Sequence, residues 1–415
     1  MNDETRTEPW DVVVAGAGAA GLVAALRAAE LGRSVLLLEK NKRPGIKILM
    51  SGGTRCNLTH ATDNRGIVEA YGLPGRFLHS ALAALGVEAT IAMFEAEGIA
   101  TKVEETGKVF PESDKAADVL DALLARFSRS GATMSLGEPL MQLERAGDCF
   151  RLATPRQTVL ARSVVLTTGG QSYPGSGTTG DGYRFAAQFG HTIVPPRPAL
   201  VPLTTTAPWV LDLRGVTLPD VVLTVLDGDG RPLASRRSSL LFAHFGLTGP
   251  AALDVSRAVS GHPWPGTLVA QIDLSPQQRE SQLLEWLRAE SAASGKKQVS
   301  ALVGQLLPRR LAEIALEQSS VPADRKAAEL SKADRGRLAH MLKHLSVPLS
   351  GTLGFKKAEV TAGGVSLDEV DSRTMQSKLA PQLFFAGELL DLDGPIGGYN
   401  FQAAWSTGWL AGGNV

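Results

Sequence analysis

The sequence predicts an α/β fold in which a parallel-sheet domain is interrupted by a long insertion. Residues 11–15 (DVVVA) and 34–38 (SVLLL) are short apolar runs typical of buried parallel strands. Between them, residues 20–31 are rich in Ala and Leu at helical spacing, so the three segments predict a βαβ unit. Buried-strand patterns return at 162–168 and, near the other end of the chain, at 383–387. We therefore expect the two ends of the chain to share one sheet.

The remaining segments predict further elements on both sides of the insertion. Helical spacing predicts helices at 79–98 and 112–129, and partial alternation predicts short strands within 132–152. The segment 401–410 (FQAAWSTGWL) predicts a final helix.

The insertion begins where four prolines appear between residues 195 and 202. Residues 221–234 read as a hairpin with an Asp-Gly-Asp-Gly turn, and 277–345 as mostly helical. These changes divide the chain into a sheet domain at 1–190 and 350–415, a β-rich part at 191–276 and 346–349, and a helical part at 277–345.

Composition narrows the classes of partner. Lys plus Arg and Asp plus Glu are 42 each among 415 residues, so charge gives no argument for nucleic acid or an anionic membrane. The leader MNDETRTEPW is not that of a signal peptide, and no apolar run is long enough to cross a bilayer. Only Cys56 and Cys149 are present, which fits a reducing compartment. We expect a cytoplasmic protein with a small-molecule substrate and neither nucleic-acid nor membrane partners.

The first chemical motif is Gly16-x-Gly18-x-x-Gly21, which joins the first strand to the first helix. Gly16 allows the tight turn, Gly18 allows a pyrophosphate to approach the backbone, and Gly21 allows helix and strand to pack closely. Glu39 ends the next strand and is placed to accept hydrogen bonds from ribose hydroxyls. This context predicts a dinucleotide site. The similar Gly175-x-Gly177-x-x-Gly180 follows no strand, so we interpret it as a loop lining the first site.

Two further clusters supply small and polar residues. Residues 47–57 (KILMSGGTRCN) carry paired glycines, Arg55 and Asn57, which suit a pyrophosphate or the polar edge of a flavin ring. Cys56 is interpreted as a small buried residue rather than a redox thiol, because no partner cysteine is near in sequence. Residues 167–170 (TTGG) end a strand where a ligand crevice is expected.

The C-terminal segment completes the predicted site. Glu388 follows the last strand and can bond a ribityl hydroxyl, and Asn400 is predicted to cap the final helix. The positive end of that helix would face the flavin edge where charge accumulates on reduction.

The histidines give weaker indications. His340 and His344 are four residues apart on a predicted helix, but the Glu of H-E-x-x-H is absent, so we interpret them as a surface pair and predict no metal. His244 is a weak candidate for a catalytic acid or donor and equally for a structural histidine, so the catalytic residues remain unassigned.

Along nearly the whole chain, the order of the sequence motifs resembles that of the YhiN/BaiN-type (aminoacetone-oxidase-like) flavoproteins. The motifs are, in order, GAGAAG, SGGTRCN, KVFP, TTGGQSYP, LFAHFGLTGP, VTAGGV and LFFAGELLDLDGPIGGYNFQAAW. The resemblance implies a Rossmann-type FAD domain, interrupted by a β-barrel-like domain with a helical insert. It also implies contacts of Lys40 and Lys47 with FAD, and backbone pairing of Leu140 with adenine. Together, motifs and resemblance predict a cofactor site at Gly16, Gly18, Ala19, Ala20, Gly21, Glu39, Lys40, Lys47, Ser51, Gly52, Gly53, Arg55, Asn57, Leu140, Thr168, Gly169, Gly170, Gly387, Glu388, Gly398, Tyr399 and Asn400.

Three functions are consistent with these features. The leading prediction is an FAD-dependent oxidoreductase that passes hydride between NAD(P)H, docked transiently, and a small organic substrate. An oxidase that uses oxygen is a second, and a non-catalytic FAD-binding sensor or interaction module is a third. Fold alone does not choose among them.

Overall fold

The computed structural model describes residues 8–415, so most of the polar leader lies outside the described residues. In chain order the strands are β1 Trp10–Ala15, β2 Val35–Glu39, β3 Thr59–His60, β4 Thr101–Val103, β5 Lys108–Pro111, β6 Thr133–Leu136, β7 Gln142–Ala146, β8 Cys149–Ala153, β9 Thr158–Leu166, β10 Ile193–Ala199, β11 Leu203–Thr205, β12 Thr217–Leu226, β13 Pro232–Ala243, β14 Gly246–Thr248, β15 Val269–Asp273, β16 Leu345–Thr352, β17 Val360–Val365 and β18 Leu383–Phe385.

The α-helices, in the same order, are α1 Ala19–Glu30, α2 Ile46–Thr54, α3 Asn64–Tyr71, α4 His79–Ala84, α5 Val87–Glu95, α6 Ala116–Arg129, α7 Asp181–Gln188, α8 Pro208–Asp212, α9 Pro250–Ser260, α10 Glu280–Ala293, α11 Val299–Val303, α12 Arg309–Gln318, α13 Lys332–Lys343 and α14 Tyr399–Gly413. No single helix among residues 8–415 has the length and apolarity to span a membrane; one bent pair, Leu73–Ala84 with Val87–Glu95, passes the same test on length and composition alone.

The chain forms two compact units. Unit 1 runs to Pro198 and resumes at Glu359–Val415, and unit 2 is Ala199–Ala358. Each has its own apolar core. The sheet domain is therefore discontinuous, and the described division lies eight and nine residues beyond the boundaries expected from the sequence at 190 and 350.

Unit 1 is built on a seven-stranded sheet, in which six strands have the order β6-β2-β1-β9-β8-β7 and the seventh, β18, also pairs with β9. The long strand β9 pairs with β8 through its first half and, in parallel, with β18 through its second half, where Leu383 faces Val164. The C-terminal strand thus extends the sheet that the N-terminal βαβ unit begins, as the sequence predicts.

Helices α1 and α14 pack against each other through glycine. A Cβ atom added to Gly408 would lie 2.3 Å from the Ala20 carbonyl oxygen, and one added to Gly412 would lie 2.2 Å from the Ala24 carbonyl oxygen. Only glycine permits this approach, because any side chain would push the two backbones apart. The close packing fixes the first half of α1 against the second half of α14.

The single helix predicted at 79–98 is wrong, because α4 ends at Ala84 and α5 begins at Val87. Gly86 is extended at the start of α5, and a Cβ there would lie 2.4 Å from Asn64 Oδ1. The tight contact with α3 replaces the continuous helix that apolar spacing indicates.

Unit 2 contains a closed six-stranded barrel with the order β11-β14-β13-β12-β15-β16. The predicted hairpin is the pair β12 and β13, and the predicted helical segment holds α10 to α13. The barrel-like insertion that the resemblance implied is confirmed.

Candidate functional site

In the glycine turn after β1, two glycines are packed closely against the backbone and one borders open space. A Cβ on Gly16 would lie 2.7 Å from the Thr167 carbonyl oxygen, and one on Gly21 would lie 1.8 Å from the Gly16 carbonyl oxygen. A Cβ on Gly18, which precedes α1, would meet no atom within 4 Å. No side chain caps α1, so the N–H groups at Ala19, Ala20 and Gly21 face the same opening. The turn can accept an anion such as a pyrophosphate.

Glu39 lies beside this turn at the end of β2. Its carboxylate accepts the N–H of Ala17 at 2.8 Å and the N–H of Asn41 at 2.8 Å, and the residue is 7% exposed. These bonds fix the carboxylate next to the glycine turn, where the sequence places a ribose partner.

The second glycine pattern forms a loop against the residues just after β2. Lys40 Nζ lies 2.6 Å from Asp181 and 2.7 Å from the Thr179 hydroxyl, and Asn41 donates to the Ser176 carbonyl. The loop begins at a 3-10 turn and not at a strand. Its position supports the interpretation that it borders the first site and is not a second dinucleotide site.

The segment 47–57 starts as helix and ends as an irregular loop. Ser51 is extended, and Gly52 and Gly53 take left-handed conformations at φ 55° and 67°. A Cβ on Gly52 would lie 2.9 Å from the Phe110 ring, whereas one on Gly53 would meet nothing within 4 Å. The loop therefore packs on one side and is open on the other.

Arg55 is held by groups that the sequence did not indicate. Its guanidinium lies 3.9 Å from the centre of the Phe110 ring and 2.6 Å from the Glu104 carboxylate, with Asp114 at 3.4 Å. Its charge is thus shared with two carboxylates near β4 and β5, and a cofactor phosphate would have to compete with them.

Two buried oxygens test whether a cofactor fits. Asn57 Oδ1 and Thr168 Oγ1 are buried and have no hydrogen-bond partner among the described residues. Leaving such an atom unpaired costs about 1–3 kcal/mol, so these positions favour a bound donor. Both residues were predicted to contact FAD, and they fit a ligand rich in hydroxyl and amide groups.

A hydrogen-bonded ion pair joins four segments of unit 1. Lys47 Nζ lies 2.6 Å from Glu388 Oε2 and 2.7 Å from the Ser172 hydroxyl. Glu388 Oε1 accepts from Ser172 Oγ at 2.6 Å and from the Thr361 N–H at 2.8 Å. The sequence indicated Lys47 and Glu388 but missed Ser172 and Thr361, whose only signal is a small polar residue inside two of the family motifs.

Gly169 and Gly170 lie where β9 ends, next to this ion pair. A Cβ on Gly170 would lie 2.3 Å from Thr361 Oγ1 and 3.1 Å from Glu388 Oε1, and Gly169 has φ 73°. Glycine here lets the network close against the strand end.

The final helix begins earlier than predicted. Its N-cap is Gly398, at φ 97°, and the prediction that Asn400 caps the helix is wrong. Asn400 instead accepts the Gly394 N–H at 2.8 Å and donates to the Gly394 carbonyl at 3.0 Å, so it fastens the preceding loop. No side chain caps α14, and the positive end of the helix dipole favours an anionic edge there.

The start of α14 meets the N-terminal segments. A Cβ on Gly398 would lie 2.4 Å from the Thr59 carbonyl oxygen and 2.8 Å from Asn57 Oδ1. Tyr399 stacks on His60 with ring centroids 4.6 Å apart. Likewise, a Cβ on Gly387 would lie 2.8 Å from Ala20 Cβ, which places the residues after β18 against the first turn of α1. The predicted residues from both ends of the chain are brought together.

Leu140 lies beside the same edge of the sheet. Gly137 donates to the Asn41 carbonyl and Glu138 to the Glu39 carbonyl, which holds this connection next to the end of β2. Leu140 is partly buried and outside any strand. The adenine contact that the resemblance implies for Leu140 stays a prediction.

His244 and Cys56 occupy contrasting environments. His244 is exposed in the turn between β13 and β14 of unit 2, whereas every predicted cofactor residue belongs to unit 1. Cys56 is fully buried, and burial raises the pKa of its thiol to about 12. A thiol of that pKa is almost entirely protonated at neutral pH, which agrees with its interpretation as structural.

Comparison with known proteins places this geometry in a family. Residues 10–414 match the family described as HI0933-like protein Rossmann domain. The chain is 35% identical over 405 residues to the ribosomal RNA dihydrouridine synthase of Escherichia coli (strain K12), covering 97% of each chain. The corresponding Haemophilus influenzae protein (strain ATCC 51907 / DSM 11121 / KW20 / Rd) is also 35% identical, over 96% of each chain.

A third relative carries a different name. The 3-dehydro-bile acid delta(4,6)-reductase of Clostridium scindens (strain ATCC 35704 / DSM 5676 / VPI 13733 / 19) is 31% identical over 403 residues, covering 96% of this chain and 97% of its own. The predicted family, the Rossmann-type fold and the FAD cofactor are confirmed. The chain belongs to the HI0933-like Rossmann family, and it is an FAD-dependent oxidoreductase.

Proposed function

We propose that the protein transfers hydride from NAD(P)H, through FAD, to a carbon–carbon double bond conjugated with a carbonyl group. The proposal rests on one observation: the names of the relatives describe the same type of reaction. A dihydrouridine synthase saturates a ring double bond next to a carbonyl, and a delta(4,6)-reductase saturates double bonds conjugated with the 3-oxo group. The substrates differ greatly in size, but the reacting group is the same.

The residues of unit 1 are proposed to divide the cofactor between them. The turn at Gly18 and the first N–H groups of α1 bind the pyrophosphate, Glu39 accepts ribose hydroxyls, and the Leu140 backbone pairs with adenine. Asn57 and Thr168 supply the unpaired oxygens described above. The complete proposed set is Gly16, Gly18, Ala19, Ala20, Gly21, Glu39, Lys40, Lys47, Ser51, Gly52, Gly53, Arg55, Asn57, Leu140, Thr168, Gly169, Gly170, Gly387, Glu388, Gly398, Tyr399 and Asn400.

Bound FAD supplies the hydride-accepting and hydride-donating ring. The uncapped start of α14 favours negative charge near Gly398 and Tyr399, which would stabilise the reduced state of a ring held there. The Glu388 carboxylate, oriented by Lys47 and Ser172, would accept a hydroxyl of the cofactor chain. The catalytic proton donor stays unassigned, and His244 remains a weak candidate.

The nicotinamide is proposed to dock only transiently. Among residues 8–415 the second glycine pattern lies in a turn and starts no βαβ unit, so it offers no built site for a second dinucleotide. Transient docking lets the hydride donor leave before the substrate enters.

Anaerobic spectroscopy tests the proposal. NADH or NADPH should bleach the flavin absorbance of the purified protein, and an enone probe such as 2-cyclohexen-1-one should restore it without oxygen. The Gly18→Val variant, which fills the opening beside α1, is the control and should carry no flavin. If neither nucleotide bleaches the flavin, the reductase activity is excluded. If oxygen rapidly restores the flavin absorbance and enones do not, the result favours the oxidase activity.

A uridine in ribosomal RNA is a second candidate substrate. The two relatives named for that reaction are each 35% identical, against 31% for the bile acid reductase. A net charge of zero averages over the whole chain and says little about one face of it. Incubation of the reduced protein with ribosomal RNA, followed by nucleoside mass spectrometry, should reveal uridine that has gained two hydrogens. This experiment also tests the prediction that the protein has no nucleic-acid partner. The cytoplasmic location stays a prediction.

A further inference from the structure

Glu280, His340 and His344 bring three metal-binding side chains to one point in the helical part of unit 2. Each offers one donor atom, and all of these atoms lie within 4.8 Å of one another. We propose that they form a binding site for a divalent transition ion of the Zn²⁺ class. The sequence indicates only the two histidines; Glu280 joins them because α10 and α13 are neighbours.

The geometry is close to that of a three-ligand tetrahedral site. His340 Nδ1 lies 3.8 Å from Glu280 Oε1, and His344 Nε2 lies 3.7 Å from Glu280 Oε2. Ligands about 2.0–2.1 Å from a tetrahedral Zn²⁺ are roughly 3.4 Å apart. The donor atoms lie within 4.8 Å of one another, so binding an ion requires side-chain rotations that bring them closer together. The spacing of four residues places both imidazoles on one helix face, with ring centroids 4.5 Å apart.

The three groups converge without satisfying one another. Both N···O distances exceed a hydrogen bond, and none of the three side chains makes a hydrogen bond to any of the residues from 8 to 415. The histidines also lie at the C-terminal end of α13, where the helix dipole favours a cation. A carboxylate and two imidazoles held together with open lone pairs are a ligand set for a metal ion.

The surrounding structure holds the ligands in place. Lys343 Nζ lies 2.5 Å from Asp273 and donates to the carbonyl oxygens of Ser275 at 2.9 Å and Gln278 at 2.7 Å. The Leu274 N–H donates to the Leu342 carbonyl at 2.9 Å. These bonds fasten the loop that leads into Glu280 onto the end of α13, and Asp273 offsets the charge of Lys343. The backbone segments that carry the ligands are therefore held together, whereas the ligand side chains are free to turn towards an ion.

The donor set selects the ion. Imidazole suits Zn²⁺ and its first-row neighbours, whereas Mg²⁺ and Ca²⁺ prefer oxygen ligands alone. Three protein ligands leave a fourth position for water, and the side chains are 41%, 66% and 37% exposed for Glu280, His340 and His344, so a water-ligated ion is accessible. A bound ion would crosslink the start of α10 to the end of α13.

Titration of the full-length, FAD-loaded protein with Zn²⁺ after removal of metals by EDTA tests the site. Calorimetry should show one ion per chain, and Co²⁺ as a stand-in should give the absorption of a low-symmetry site. His340→Gln with His344→Gln, and separately Glu280→Gln, should weaken binding by at least about tenfold. His79→Gln, at an exposed histidine outside the cluster, should bind as the natural chain does. Unchanged binding in the double variant, or none in the natural chain at about 1 mM Zn²⁺, would overturn the proposal.

Thermal unfolding tests the metal crosslink between α10 and α13 separately from flavin chemistry. Because an ion that binds only the folded state stabilises it, saturating Zn²⁺ should raise the Tm of the natural chain and of H79Q but not of the double variant. An ion that binds with one-to-one stoichiometry and leaves the Tm unchanged would refute the proposal that it crosslinks α10 and α13. The flavin absorbance should be the same in all three proteins, since the ligands belong to unit 2.

Discussion

The Lys47 ammonium lies 2.6 Å from the Glu388 carboxylate, although 341 residues separate them in the chain. The pair ties α2, which follows the N-terminal βαβ unit, to the turn after the C-terminal strand β18. Ser172 bonds to both partners, so the contact also includes the segment after β9. A single ionic contact therefore joins segments from both ends of the chain at the candidate site.

Lys47→Met should weaken both the fold and the retention of FAD. The change leaves Glu388, whose side chain is 20% exposed, without its cation. Loss of a charged hydrogen bond in such a place costs about 1.5–3 kcal/mol, and a loss of that size lowers FAD affinity by about 10- to 100-fold if Glu388 orients a cofactor hydroxyl. Urea unfolding and flavin absorbance after gel filtration measure the two effects.

The matched control for that change is Arg65→Met, which removes an exposed ion pair with Glu69 on α3. Exposed pairs of this kind contribute little, so R65M should unfold and bind FAD as the natural chain does. The double variant of Lys47→Met with Glu388→Gln should recover part of the lost stability, because no unpaired charge remains. Full flavin occupancy in K47M would contradict the proposed role of the pair.

Gly18→Ala and Gly21→Ala should fail for different reasons. Gly18 has φ −81° and open space around its Cβ position, so alanine fits the apoprotein and obstructs the pyrophosphate. The Gly21 Cβ position lies 1.8 Å from the Gly16 carbonyl oxygen, so alanine there must displace the strand–helix turn. G18A should keep its unfolding free energy within about 1 kcal/mol and lose FAD, whereas G21A should lose several kcal/mol.

Stability of the apoprotein and flavin content, measured on the same preparations, separate the two variants. A G18A protein that is as yellow as the natural chain would show that the pyrophosphate lies elsewhere.

Local patterns predicted the parts of the fold that local forces determine. The βαβ unit could be found because β-branched strands, an Ala-rich helix and the glycine turn follow one another directly. The break at Gly86 could not, because it depends on Asn64 of a different helix. The start of α14 was misplaced for a related reason: Asn is a good capping residue in general, but the contact with the Thr59 carbonyl requires glycine at the cap.

Cys56 should resist alkylation in the folded protein, while Cys149 should react. Cys56 is fully buried, and burial raises the pKa of its thiol to about 12, so the thiol is almost entirely protonated at pH 8. Cys149 is partly exposed. Mass spectrometry after iodoacetamide treatment, with and without urea, measures both cysteines. Rapid labelling of Cys56 in the folded chain would reopen its interpretation as a redox residue.

The sequence predicts the principal residues of the candidate site but not the residues that hold them in place. Lys47, Glu39 and Glu388 stand out because charged residues next to glycine turns are typical of phosphate and ribose sites. Ser172 and Thr361 are ordinary in sequence and become part of the site only when β9 and β17 bring them to Glu388. Glu280 likewise joins His340 and His344 through helix packing alone. Such contacts depend on the tertiary structure.

His191 should make the stability of unit 1 depend on pH. Its side chain has no exposed surface, and Nε2 lies 2.7 Å from Ser377 Oγ. That hydroxyl already accepts the N–H groups of Leu379 and Ala380, so its own hydrogen is directed to Nε2, which must be unprotonated. Nδ1 then carries the proton and faces Glu369 at 3.4 Å. The folded structure thus selects the neutral ring.

Burial lowers the pKa of His191 below its ordinary value of 6.5, although the Glu369 carboxylate acts in the opposite direction. Because the unfolded chain binds the proton more readily, this contribution to stability is complete above pH 6.5 and is lost as the pH falls towards the folded-state pKa. A single site contributes at most about 1.4 kcal/mol per pH unit. Urea unfolding with saturating FAD at pH 7.5 and 5.5 should therefore show a smaller loss in His191→Gln than in the natural chain, and an unchanged loss in His79→Gln. Equal losses in all three would show that the His191 ring accepts a proton without disturbing Ser377.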